Sequence, residues 1–409
     1  MDRRKIWKTV CVGACFVGAF QMSLGYAVTA WAWNSPSQAV WEQEKAETEA
    51  QEPYEAVDHH QIPEEQLLDS VIEYEELGSL IHRNNSSVQE VIYQTETTKQ
   101  QYTQIRDSMY AEKSDADWKK DEAEDEGDME AYTEYAALEA TYKMAAKSYN
   151  SMLKSLNSAT SNSSRVTLEK QLTYAAQNLM ISLQSIQQQK EQLLKMEEWY
   201  SAQYETMLAR QQAGTATQAD VEDAYQAWQE SVLSVDSLEA NEDSVRQSLY
   251  LMLGMDAGAE WEIGEIPSAD RENISEMNLE QDTQTAINNN TEIIAERKTA
   301  SDGTTEGIKK KQRTLEELEE KLKIKMQQLY EQVLQAEHAC ETALVGYESA
   351  EAEWNCAQKE MELGMLSQTQ YLQEELAYIG QKTNLEAAEL TLFQALESYR
   401  WAVEGIVGS

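Results

Sequence analysis

Two short stretches stand out for residue type and spacing. They are Gly214-Thr215-Ala216-Thr217-Gln218 with Asp220, and Gly364-Met365-Leu366-Ser367-Gln368. Glycine takes a turn conformation at low strain, and a Thr217 or Ser367 hydroxyl can cap the helix that follows. A carboxylate at Asp220, in the first turn of that helix, suits the positive end of its dipole. This is the chemistry of a presented turn. Groups that break bonds or hold metals are scattered by comparison. His59, His60, His82 and His338 form no cluster, and two of them fall in an acidic linker. No nucleophile has an adjacent base, no phosphate loop appears, and no zinc spacing occurs. No enzyme activity, cofactor or metal site is therefore expected.

The elements that hold these turns are predicted to be helices. The chain has 409 residues with only four prolines and three phenylalanines, and it is rich in Glu, Gln, Ala, Leu and Lys, which favour helix. A net charge of −40 and a pI near 4.4 repel phosphate backbones and anionic lipid heads, so nucleic-acid binding is not expected. The acidic excess reads as solvated helix faces rather than an ion-binding lumen.

The first residues read as an export signal, residues 1–32. Arg3, Arg4, Lys5 and Lys8 precede an apolar run from Val10 to Tyr26, and Ala30-Trp31-Ala32 offers a cleavage site. An uncleaved membrane anchor is the alternative. Val12-Gly13-Ala14-Cys15 imitates a lipidation motif only loosely, because Lys8 shortens the apolar run before it. Residues 33–66 are acidic, carry Pro36, Pro53 and Pro63, and read as a flexible linker. Cys11 and Cys15 lie in the signal. Cys340 and Cys356 share one predicted helix, where their spacing corresponds to about 24 Å, beyond disulfide reach.

Helical spacing begins at Leu67, Val71, Tyr74 and Leu77. A charged stretch around Gly127 reads as a loop or kink, or else as a solvated helix face. The Ser/Asn cluster at 155–165 reads as the turn of an antiparallel hairpin, with one arm ending near Thr160 and the other running from Val166 to Gln212. After Gly214 a coiled-coil seam runs through Val221, Ala224, Trp228, Val235, Leu238, Val245, Leu249 and Met252, with Ser231 and Glu242 as polar intrusions. Gly254 closes this helix, and Pro267 blocks its resumption.

The pattern then starts again. Asn289-Asn290 aligns with Asn84-Asn85, an arm from Lys309 to Leu363 has a seam through Leu315, Leu318, Leu322, Leu329, Val333, Ala336 and Cys340, and Gly364 follows Gly214 by 150 residues. Gly405 matches Gly254. Two helical repeats, 67–265 and 266–409, constitute an internal duplication, the first longer by about 55 residues. Trp228, Trp354, Trp401 and the helically spaced tyrosines are expected in core or subunit contacts.

Over residues 67–409, the paired asparagines, the two glycine turns and the terminators Gly254 and Gly405 resemble the TolC-like outer-membrane efflux protein family. The resemblance implies an all-α fold of long antiparallel helical hairpins or coiled coil, of the TolC-like α-barrel type. It implies a homo-oligomer, a trimer in that family. Its turns would be tips facing a periplasmic-adaptor-like (membrane fusion) protein that works with an inner-membrane pump or permease. Carried over by position, Gly214, Thr215, Thr217 and Asp220 make the first tip, and Gly364, Leu366 and Ser367 the second. The first match is closer, because Gln370 stands where the family has Asp. One departure is larger. Outer-membrane members insert β-strands of about 9–11 residues between hairpin arms, and "SLNSATSNSSR" and "SDGTTEG" are too short for that. The expected protein is a relative without the transmembrane β-barrel: an exported helical conduit or adaptor-docking element of the cell envelope. The alternative is a structural coiled-coil spacer, adhesin or scaffold.

Overall fold

The computed structural model describes residues 71–407 except 257–260, 270, 272–273, 276 and 302, and at 159–162 the backbone only. The expected signal, the linker, Cys11, Cys15, His59 and His60 lie outside the described residues. Leu67, where helical spacing is expected to begin, also lies outside the described residues, which open at Val71 on a short strand rather than a helix. β1 (Val71–Ile72) pairs in parallel with β2 (Glu262–Ile263), a conformation that β-branched Val71 and Ile72 favour. A 3-10 turn over Tyr74–Glu76 leads into α1 (Leu77–Asn84).

Next come α2 (Ser86–Glu126) and α3 (Met129–Leu156), a two-helix coil turning at Gly127. The charged stretch around Gly127 is thus helical on both sides of a two-residue turn. Gly127 takes φ 74°, and the Asp128 side chain accepts from Glu130 N and Ala131 N at 3.1 and 3.0 Å. This turn, and not the Ser/Asn cluster, is where the first repeat reverses. Only Asn157 and Ser158 separate α3 from α4 (Ala159–Gln212). The helical cost of Ser and Asn is a few tenths of a kcal/mol per residue, and packing of the following turns overrides it. Glu169 is buried there between Arg165 (2.7 Å) and His82 (2.9 Å).

After Gly214 the chain returns as α5 (Gln218–Leu253). The second repeat comprises α6 (Leu279–Asn289), α7 (Thr291–Lys298), α8 (Thr305–Glu362) and α9 (Gln368–Val403). Helices α5, α4, α9 and α8 lie side by side in that order as one layer. The polar links between α4 and α9 fix their direction: Lys170–Glu404, Lys190's neighbour Glu191–Lys382, and Thr206–Thr369 rise along one helix as they fall along the other. They are antiparallel over nearly their full length.

Two apolar clusters anchor the layer away from the tips. One joins Ile72, Leu77, Ile81, Met180, Leu249 and Leu253, and the other joins Ile287, Ile293, Met326, Val333, Cys340 and Leu392. The polar intrusions expected in the α5 seam are buried and satisfied: Ser231 Oγ donates to the Trp228 carbonyl at 2.7 Å, and Glu242 accepts from Lys190 and Arg246.

The surplus length of the first repeat is a hairpin. Outgoing α2 has 41 residues where α7 has 8, and α3 and α4 have 28 and 54 where α8 has 58. At 1.5 Å per residue the α2–α3 hairpin projects on the order of 40 Å past the second repeat's own turn at Gly303. Its seam is polar. Arg106, Lys113 and Lys120, seven residues apart, are buried or nearly so, Glu139 Oε2 accepts from Lys120 at 2.8 Å, and Asn150 donates to Tyr110 Oη at 3.0 Å. Among the described residues these two 2-residue strands are the only strands, and no helix is long and apolar enough to cross a membrane.

Candidate docking tips

The two glycine turns have the same internal construction. Gly214 takes φ 73° and Gly364 φ 71°. At the first, Gly214 N donates to Gln211 O (2.9 Å) and Thr215 N to Arg210 O (2.8 Å). At the second, Gly364 N donates to Met361 O (3.0 Å) and Met365 N to Glu360 O (2.8 Å). These paired bonds satisfy the last carbonyls of the incoming helix only when the intervening residue is left-handed, which glycine allows.

Each turn leads into a reciprocal cap. Thr217 Oγ1 accepts from Asp220 N at 3.2 Å while Asp220 Oδ2 accepts from Thr217 N at 2.7 Å. The Thr217 backbone amide, then its hydroxyl, hold the Asp220 carboxyl below the ordinary carboxylate range. In the second tip Ser367 Oγ accepts from Gln370 N at 3.3 Å and Gln370 Oε1 accepts from Ser367 N at 3.1 Å. Gln370 therefore fills the structural role of Asp220 without its charge. A capping box needs only an acceptor at this position.

The tips differ in what they present. Gly214, Thr215, Thr217 and Asp220 are all exposed, and Gln211 Nε2 bonds Gln218 Oε1 across the turn at 2.6 Å, so the first tip is polar. The second exposes Leu363 (74%) and Met365 (68%). Leu366 is half-buried against an open groove of about 450 Å³ between α8 and α9, beside Ala352, Cys356 and Ala357. The two tips are neighbours, since Thr206 and Thr369 hydroxyls meet at 3.3 Å.

Behind each tip stands a stacked aromatic pair that the sequence reading assigned only to general packing. Tyr204 and Trp228 stack at 5.8 Å and 14°, and Trp354 and Tyr378 at 6.0 Å and 12°. Each pair lies ten residues before and fourteen after its glycine, with Tyr and Trp exchanged between repeats. That spacing was visible in the sequence, but nothing there said the two positions face each other.

No catalytic geometry accompanies the tips. His82 is bonded to Glu169, His338 lies exposed beside Glu341, and Cys340 and Cys356 are free thiols. Among the described residues no group of three His, Cys, Asp or Glu is placed to hold a metal.

No family model and no curated protein matches this sequence. Solved structures of similar architecture include the CmeC outer membrane channel of Campylobacter jejuni, with 8% identity over 81% of this chain and 85% of that one, and a TM-score of 0.45. They also include the outer-membrane channel OprN (10%, 81% and 90%, TM-score 0.44) and CusC (10%, 79% and 91%, TM-score 0.41). At this depth the likeness assigns neither family membership nor activity.

Proposed function

We propose that this chain is an exported, oligomeric helical conduit or adaptor-docking element in transmembrane transport, working with an adaptor protein and an energised pump or permease. The observation that carries the proposal is the pair of exposed, identically built glycine turns, set side by side at one end of an antiparallel helical layer. Such tips offer a rigid backbone surface to a partner at little entropic cost. The layer's outer helices support self-association: α5 exposes Leu233 (64%) and Leu251 (79%), and α8 exposes Ile324 (54%) and Val345 (66%). Pairing α5 of one copy with α8 of the next closes a ring, and three copies is the number that the family resemblance implies. The tip residues supply no catalysis in this reading, and the energy comes from the pump.

The test is cross-linking in the native envelope. Gly214→Pro and Gly364→Pro cannot adopt the left-handed turn and should abolish adaptor capture while overall helicity persists. Undiminished capture by both variants sinks the tip role.

A structural spacer is the second reading, and the projecting α2–α3 coil favours it, because among the described residues no other element covers it beyond its base. A protein that stays monomeric at all concentrations in light scattering, and captures no adaptor, would support the spacer.

A further inference from the structure

The four-helix layer contains two kinds of joint. Within each repeat α5 packs on α4 and α8 on α9, whereas α4 and α9 join one repeat to the other. The layer's edges are α8, the counterpart of α4, and α5, the counterpart of α9, and among the described residues neither makes the second kind of joint. The correspondence runs residue by residue. α5 and α9 both have 36 residues, and α4 and α8 end at Gln212 and Glu362, so a single shift of 150 carries the α4–α9 joint onto the two edges.

The α4–α9 joint has a defined register. Tyr174 meets Trp401 with ring centroids 6.0 Å apart, Lys195 pairs with Glu375 at 3.3 Å, and Glu191 pairs with Lys382 at 2.9 Å. The shift converts these into Ile324 opposite Leu251, Val345 opposite Tyr225, and Glu341 opposite Val232. Ile324, Leu251, Val345 and Tyr225 are all exposed. A single copy thus leaves four large apolar side chains in water, at the heights where the duplicated register would set them in two pairs. Glu341 has His338 beside it on its own helix, at 3.4 Å.

Charge fits as well. Ala175 of α4 lines a cleft with Ile406, just past Gly405, and the same shift places Lys325 opposite Asp256, just past Gly254. The size is sufficient. A helix of 36 residues is roughly 54 Å long and about 10 Å across, so such a contact covers on the order of 500 Å² on each copy, about 1,000 Å² in all, where specific interfaces begin. The two edges differ, so the contact is head-to-tail and each copy uses both.

We propose that α8 of one copy packs on α5 of a second copy in the register of the α4–α9 joint, with Ile324 against Leu251 and Val345 against Tyr225. This rests on the oligomeric reading above, and adds to it a register and an apolar seam where the joint within the chain uses ion pairs.

The test is disulfide cross-linking of the full chain in a Cys11→Ser/Cys15→Ser/Cys356→Ser background, which keeps only the buried Cys340. Leu251→Cys/Ile324→Cys and Tyr225→Cys/Val345→Cys are the matched pairs. Leu251→Cys/Val345→Cys and Tyr225→Cys/Ile324→Cys cross the same four positions, about 20 residues or roughly 30 Å out of register, far beyond disulfide reach. Matched pairs should form the disulfide between copies at least about tenfold more than crossed pairs, with the bonds mapped by mass spectrometry. In the unsubstituted chain, mixed light- and heavy-isotope protein should give zero-length carbodiimide links between Lys325 of one form and Asp256 of the other, and this result decides if a cysteine variant loses helicity. Crossed pairs linking as well as matched ones overturn the register. An oligomer in analytical ultracentrifugation with neither matched disulfides nor mixed-isotope links also overturns it, and leaves the oligomeric reading standing. A chain that stays monomeric at every concentration overturns both.

Discussion

Gly254 lies against the backbone of Asn84 so closely that a Cβ on it would fall 2.2 Å from the Asn84 carbonyl oxygen, and Gly405 stands in the same relation to Asn289, also at 2.2 Å. The contact splices two helices. The C-terminus of α5 meets the N-terminus of α2, where Asn85 Nδ2 donates to the Met252 carbonyl at 2.7 Å while its Oδ1 accepts from Ser87 N and Val88 N. One side chain thus satisfies orphan groups on both helices. In the second repeat the work is divided: Asn290 Oδ1 caps α7, and Asn289 Nδ2 donates to Val403 O at 3.0 Å.

Gly254→Ala and Gly405→Ala should each destabilise by roughly 2–5 kcal/mol, combining left-handed strain with overpacking against backbone that cannot yield. Gly214→Ala meets no neighbour within 4 Å and should cost only about 1 kcal/mol of backbone strain. Urea denaturation of the three variants measures the contrast. Equal losses at all three positions would refute the splice.

The exchanged aromatic pairs predict a tolerated swap. Tyr204→Trp/Trp228→Tyr reproduces in the first repeat the arrangement of the second, and should cost less than about 1 kcal/mol. Trp228→Ala alone should cost about 2–3 kcal/mol, less than a fully buried Trp because the ring is half-buried. Thermal melts followed by near-ultraviolet circular dichroism report both stability and ring packing.

Two buried carboxylates should shape the pH dependence with opposite signs. Burial pushes Glu169 up, but hydrogen bonding to His82 and the charge of Arg165 outweigh it and leave its carboxyl below the ordinary range. Its contribution is present above that range and is lost as pH falls through the lowered native value. Glu169→Gln should therefore cost about 1–3 kcal/mol near neutrality, a difference that shrinks in acid.

Burial raises Glu397, and Arg400 offsets it only in part. Its stabilisation is complete below the ordinary carboxylate range and is lost as pH rises through the raised value. Glu397→Gln should accordingly gain about 1 kcal/mol near neutrality and nothing in strong acid. Stability curves between pH 3 and pH 8 or so separate the two, and parallel curves would contradict both assignments.

The polar seam of the projecting hairpin predicts a gain from apolar replacement. Lys113 and Lys120 both approach Glu139, at 3.8 and 2.8 Å, in a nearly buried setting. Replacing all three with Leu should stabilise the hairpin by about 1–4 kcal/mol, with the partly exposed Asp117 left to solvent, whereas Glu139→Ala alone should cost about 1–2 kcal/mol, since Asp117 still approaches Lys113 and Lys120 at 3.9 and 2.5 Å. Amide exchange over residues 105–150 is the measurement.

Much of this protein could be deduced from residue order alone because its organising signals are local. Gly214 and Gly364 each end one helix and admit another through short-range bonds to Arg210 or Glu360, and Thr217 and Ser367 cap from three residues away. Helical periodicity, the duplicated spacing and the all-helical class follow from the same short-range chemistry. The tertiary structure decided what depends on distant partners. The acidic stretch at Gly127 and the Ser/Asn cluster at 155–165 carry similar turn signals, yet only the first reverses the chain. At the second the chain continues from α3 into α4, which packs through Glu169 on His82, 87 residues away. Likewise Val71 and Ile72 become a strand because Glu262 and Ile263 offer it a ladder, and Asn84 and Gly254 acquire their joint role only where two helix ends meet. A helix end is written in neighbouring residues; what it abuts is set by long-range packing.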